Sequence, residues 1–92
     1  NNPENYLAFV KSPVWEERLM VAKLFQLLPL SYTLPHLEIL LEDESWWVRS
    51  QAAKTMMRDK SGRTSLEEYI EHSSDRYAID MANEALGKGL KP

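Results

Sequence analysis

An all-α fold, an αα-superhelix of about three helical hairpins, is predicted by three observations. The first is a recurring phrase. Arg18, Val21, Ala22 and Phe25 stand 31 positions before Arg49, Ala52, Ala53 and Met56, and Met81, Ala82 and Ala85 stand 29 positions after the last three of these. The second is that the preceding segments keep the same intervals: Tyr6, Phe9 and Val10, then Leu37, Leu40 and Leu41, then Leu66, Tyr69 and Ile70. The third is that no segment alternates with period two for long enough to make a strand. A period near thirty with two helical stretches per unit is the pattern of a solenoid, in which each unit buries its apolar face only by stacking on its neighbours.

Six helices follow in order. The first is short, about Asn5 to Lys11. Ser12-Pro13 punctuates it, Ser as a good N-cap and Pro as a tolerated first helical residue, so the second helix is expected from about Pro13 to Leu28, stopping at Pro29. The third is placed near Thr33-Leu34-Pro35 and runs to about Glu42. The fourth is capped by Ser45 and ends near Arg58. Asp59 to Arg63, containing Gly62, reads as a polar turn. Thr64 with Glu67 and Ser65 with Glu68 are overlapping capping-box patterns that open the fifth helix, which ends near His72. Ser73 or Ser74 caps the sixth, and Gly87 closes it as a residue suited to a left-handed C-terminal position. Pairing these helices gives one repeat domain over residues 1–92, with units near 5–29, 33–60 and 64–88.

Composition fits that domain. Apolar residues make up 43% and charged residues 27% of the 92, with a net charge of −3. An acidic balance argues against general nucleic-acid binding, which requires Lys and Arg against phosphates. No apolar run approaches the roughly 18 residues that span a bilayer. There is no cysteine, so disulfides and thiolate chemistry are out. The polar start, Asn1-Asn2-Pro3-Glu4-Asn5, has no signal-peptide pattern and no Met, which points to a longer parent; the cytoplasm is the expected compartment. The second helix is apolar around most of its circumference (Val14, Trp15, Leu19, Met20, Val21, Leu24, Phe25, Leu27, Leu28), whereas the sixth is polar outside. The chain is therefore expected to be the C-terminal part of a longer array, with self-association through the N-terminal edge as one way to cover the second helix.

The central phrase resembles a HEAT repeat, especially the bacterial HEAT-like type also found in phycobilin lyases. The residues that carry the resemblance are Leu41, Asp43, Ser45, Val48, Arg49, Ala52, Ala53 and Met56. The first unit departs from the pattern at Ser12 and Glu17, and the third at Ala78. The resemblance implies an αα-superhelix in which Asp43, Arg18 and Arg49 tie neighbouring repeats together and the small pair, Ala22 and Ala53 in their units, lets helices pack closely. It also implies that the second helices line a concave surface. HEAT arrays serve many ends, so the fold alone names no partner.

Nothing in the chain carries the spacing of a catalytic or metal site. His36 and His72 read as ordinary surface residues, the acidic pairs as helix-end carboxylates, and Gly87-Lys88-Gly89 as helix termination. No cofactor is expected. The basic run Lys54, Arg58, Lys60 and Arg63 is interrupted on equivalent faces by Glu16 and Asp80. Trp15, Trp46, Met56, Met57 and Met81 read as core. Helical phase places Trp47 on an otherwise polar stripe with Gln51, Lys54 and Arg58, matched by Glu16, Met20, Lys23 and Leu27 in the first unit and Arg76, Asp80 and Asn83 in the third. Either this is a partner-binding face, since Trp and Arg are favoured at interfaces, or Trp47 lies packed between hairpins. The reading is a protein-interaction or scaffold module, not an enzyme. The alternatives are a small-molecule or chromophore-handling domain, or nucleic-acid binding.

Overall fold

Prolines set the first boundaries of the chain. A computed structural model describes residues 4–88. Among these residues the order is α1 (Glu4–Leu7) with a 3₁₀ turn (Ala8–Lys11), α2 (Trp15–Leu24) with a 3₁₀ turn (Phe25–Leu27), α3 (Leu30–Leu40), α4 (Trp46–Met56), α5 (Lys60–His72) and α6 (Arg76–Ala85), with no strand. Ser12 and Leu28 precede prolines and are both extended, with φ/ψ of −61°/141° and −114°/157°. A proline ring disfavours the helical conformation in the residue before it.

Several boundaries differ from those the sequence predicts. Val14, not Ser12, is the N-cap of α2. Ser12 instead accepts the Val14 N–H on its hydroxyl at 3.0 Å. The third helix begins at Leu30, five residues before Pro35, because Pro29 already supplies the stop and start. Pro35 lies inside α3, where it leaves the carbonyl of exposed Ser31 without its helical donor. Gly62 lies in the first turn of α5, which starts at Asp59: the Asp59 carboxylate accepts the Gly62 N–H at 3.1 Å. The capping boxes at Thr64 and Ser65 therefore fall inside a helix that is already capped. The N-cap of α6 is Asp75, which accepts from Ala78 N–H at 3.0 Å, rather than Ser73 or Ser74. Gly87 does take φ +78°. With Lys88 N–H on Asn83 O and Gly87 N–H on Glu84 O it completes a Schellman closure.

Packing centres on α4, which touches α2, α3, α5 and α6. The start of α2 meets the start of α4 through Arg18 and Asp43, and their ends meet through Thr55 and the Ala22 carbonyl at 2.8 Å. These two helices are therefore parallel. Arg49 and Asp75 join the starts of α4 and α6 in the same sense. On the other side, Leu30 approaches Gly62 near the starts of α3 and α5, and Tyr69 reaches Glu42 near their ends. The result is a row of α2, α4 and α6 backed by α3 and α5. Phe25, Leu37, Leu40, Leu41, Val48, Met56 and Leu66 fill the space between, all buried. Ala22, Ala52, Ala53, Ala78 and Ala82 are also buried, and their small size permits close helix approach. The radius of gyration is 12.5 Å, close to the roughly 12 Å of a compact chain of this length.

Candidate functional site

The turns before α2, α4 and α6 are built alike. In each, a side-chain oxygen accepts an N–H two residues on: Ser12 from Val14, Asp43 from Ser45 and Ser73 from Asp75. The intervals are 31 and 30, so the third unit is shifted by one residue from the register read in the sequence. Ala78 answers to Val48, both fully buried, and Ile79 takes the place of Arg49.

Arginines bridge these turns. Arg18 grips Asp43 with two bonds, Nε–Oδ2 at 2.7 Å and Nη2–Oδ1 at 3.0 Å, and donates Nη1 to the Ser12 carbonyl at 2.7 Å. This planar two-point pairing suits guanidinium and carboxylate, and the Asp43 bond raises the Arg18 pKa. Arg49 repeats the arrangement one unit on, donating to its own turn at the Asp43 carbonyl and, at a longer 3.4 Å, to Asp75. With Ile79 in the third position, the arginine series ends at Arg49.

The six residues of the predicted face part company. Met20, Lys23 and Lys54 are exposed on α2 and α4. Gln51 is half-buried and donates to the Thr55 hydroxyl at 3.2 Å. Arg58 is not available as a contact residue: its guanidinium donates to the carbonyls of Phe25, Gln26 and Leu28 where the helix tightens before Pro29. That also removes Arg58 from the basic run. On α6 the corrected register puts Tyr77, Met81 and Glu84, not Arg76, Asp80 and Asn83, opposite the α4 residues Trp47, Gln51 and Lys54. On α2 and its flanks, Val14, Met20 and Leu27 remain exposed apolar residues.

Trp47 is 60% exposed, which excludes the packed alternative. Trp15 and Trp46, expected in the core, are exposed as well, at 38% and 55%, and Tyr77 reaches 74%. Met56 and Met81 are buried and Met57 half-buried. The two histidines also separate: His72 is exposed, whereas His36 is half-buried beside the rings of Phe25 and Tyr32. The reason for the exposed aromatics is position. Each occupies the first or second residue of α2, α4 or α6. Trp15 and Trp47 line one groove, of about 870 Å³, with Ile39 and Glu42. Trp46 and Tyr77 line the next, of about 730 Å³, with Asp80 and Glu84. Trp46 and Trp47 stand edge to face between the two, with ring centroids 4.9 Å apart at 83°, a favoured aromatic geometry. The order along the helix starts is thus Trp15, Trp47, Trp46, Tyr77. Tyr69 helps hold the rim by donating its hydroxyl to Glu42; burial, with that contact, pushes its pKa up to about 12. The spacing of Trp15 to Trp46 and of Trp47 to Tyr77 was available in the sequence, but only the turn register shows that all four share one edge.

Among the described residues no group of three or more His, Asp or Glu is arranged to hold a metal ion, and no helix is long and apolar enough to cross a membrane. Comparison with protein-family models, curated proteins and solved structures finds no match to this chain.

Proposed function

We propose that this chain is a protein-interaction module of the HEAT-like αα-solenoid type, docking its partner on the edge formed by the starts of α2, α4 and α6. The parallel row of these helices, the two arginine bridges and the resemblance of the central phrase support the solenoid reading. The single observation that carries the interaction reading is the strip of four exposed aromatic rings. Trp and Tyr are enriched among residues that dominate binding energy, and contiguous exposed apolar surface of this kind marks interaction sites. Each ring keeps a large exposed area, from 38% at Trp15 to 74% at Tyr77, that the core does not use.

The test is site-specific photocrosslinking in the cell of origin, with a photoreactive phenylalanine at position 47 and, as control, at exposed Glu71 on α5. A discrete protein adduct from position 47 and none from position 71 is expected. The same adduct from both positions, or none from either, would reject the edge as a docking surface. Trp47→Ala should leave the melting temperature nearly unchanged and weaken the captured partner by about 2 kcal/mol or more, the magnitude of a hot spot.

A further inference from the structure

We propose that the edge docks a cationic stretch of polypeptide, one that sets arginine guanidinium groups against Trp46, Trp47 and Tyr77. This rests on the reading of the edge as a docking surface and adds the chemistry of the occupant.

Charge bookkeeping along the edge makes the case. The arginines that line the two grooves are already engaged, Arg18 with Asp43 at 2.7 Å and Arg49 with Asp75 at 3.4 Å. The acids are not. Glu44 lines both grooves, and Asp80 and Glu84 line the one between Trp46 and Tyr77; none of the three is in an ion pair among the described residues. Lys11 at the outer margin of one groove, Lys88 at the other and Arg76, exposed at the start of α6, are the opposing charges, and Lys88 already faces Glu67 at 3.7 Å. Helix starts ordinarily favour anions, because their first N–H groups point outward. At α6 Asp75 meets that preference by accepting the Ala78 N–H; α2 and α4 have no side-chain cap, but carboxylates already stand at both starts, Glu16 and Glu17 in the first turn of α2 and Glu44 just before α4. An acidic or phosphorylated segment would meet these carboxylates at every helix start along the edge.

The rings select a cation as well. Aromatic faces attract guanidinium electrostatically, and the molecule already contains the geometry, with the Arg49 guanidinium carbon 5.6 Å from the Tyr77 ring centroid. The edge-to-face pair of Trp46 and Trp47 offers further ring face to a partner's arginine. Carboxylates beside exposed ring faces meet both needs of that group: a planar surface for stacking and an acceptor for its N–H fork.

The test uses the whole chain, labelled so that each tryptophan indole N–H is resolved by NMR, and a short peptide alternating arginine with glycine and serine. Its twin carries citrulline, which keeps the shape and removes the charge. Saturable shifts of the Trp46 and Trp47 indole signals are expected with the arginine peptide, at least about tenfold tighter than with the citrulline twin and weakened by added salt. The double variant Glu44→Gln, Asp80→Asn should lose about tenfold in affinity while keeping its melting temperature. Equal binding of the two peptides would overturn the cationic assignment and leave an apolar docking edge. No indole response to the arginine peptide would overturn it too, and an adduct from position 47 in the crosslinking experiment would then show that the edge docks a partner of other chemistry.

Discussion

Gly62 has no room for a side chain. A Cβ there would lie 1.7 Å from the Met56 carbonyl oxygen and 3.1 Å from Leu30 Cδ2, so the end of α4 and the start of α5 could not keep their crossing. An exposed glycine in a helix gains about 1 kcal/mol on conversion to alanine; Gly62→Ala should instead cost about 3 kcal/mol or more, the upper range of overpacking. Gly87 has nothing within 4 Å and φ +78°, so Gly87→Ala should cost only the left-handed strain, about 1–2 kcal/mol. Thermal or urea unfolding of the two variants checks the contrast. The same assay separates Ala53, buried against its neighbours, from exposed Lys54. Ala53→Leu should destabilise by about 1–3 kcal/mol and Lys54→Leu hardly at all. The small residues were legible in the sequence because they recur at a fixed interval. Gly62 was not, because glycine punctuates turns far more often than it admits a crossing backbone, and only the crossing tells the two apart.

At the level of the helices, stability depends on which carboxylates close the starts. Asp59 and Asp75 are held below the usual aspartate range, chiefly by the N–H groups of Gly62 and Ala78, with Arg49 assisting at Asp75. A carboxyl with a depressed folded pKa binds its proton first in the unfolded chain. Its contribution is therefore present above about pH 4 and is lost as pH falls through the lower folded value. Glu38 runs the other way: burial, with Glu68 nearby, raises its pKa, so its charge opposes folding near neutrality and protonation relieves that cost. The melting temperature should hold on mild acidification and drop below about pH 4. Asp75→Asn, which keeps an N-cap acceptor but cannot titrate, should make that drop smaller; an unchanged acid profile would show that Asp75 does not govern it. The sequence placed most of these helices within a few residues. It missed their starts where several capping residues compete: Asp59 precedes Thr64 and Ser65, and Asp75 follows Ser73 and Ser74. The winner is set by where the preceding helix releases the chain.

Across the whole molecule, the row of α2, α4 and α6 was legible because its buried positions repeat. The aromatic edge was not, because tryptophan at a helix start reads as core until the height of the neighbouring helices is known. The one-residue shift of the third unit was equally hidden, since Ser73 stands where Asp43 would be expected and Ile79 where Arg49 would. That shift leaves the units unequally joined. Between the first and second, Arg18 holds Asp43 at two points, Thr55 holds the Ala22 carbonyl, and Arg58 spans three more carbonyls. Between the second and third, among the described residues, the polar links are the long Arg49–Asp75 pair, Tyr69 on Glu42 and an equally long bond from exposed Arg63 to the Met57 carbonyl. Proteins open in parts, and the part with the fewest ties opens first. In native-state hydrogen exchange, the amides of α5 and α6 should exchange through a smaller opening free energy than those of α2 and α4. Equal protection along all four helices would mean that the chain opens only as a whole. Arg58 thus acts as a latch: it sets the order in which the molecule comes apart, and Arg58→Met should lower the opening free energy of α2 toward that of α6.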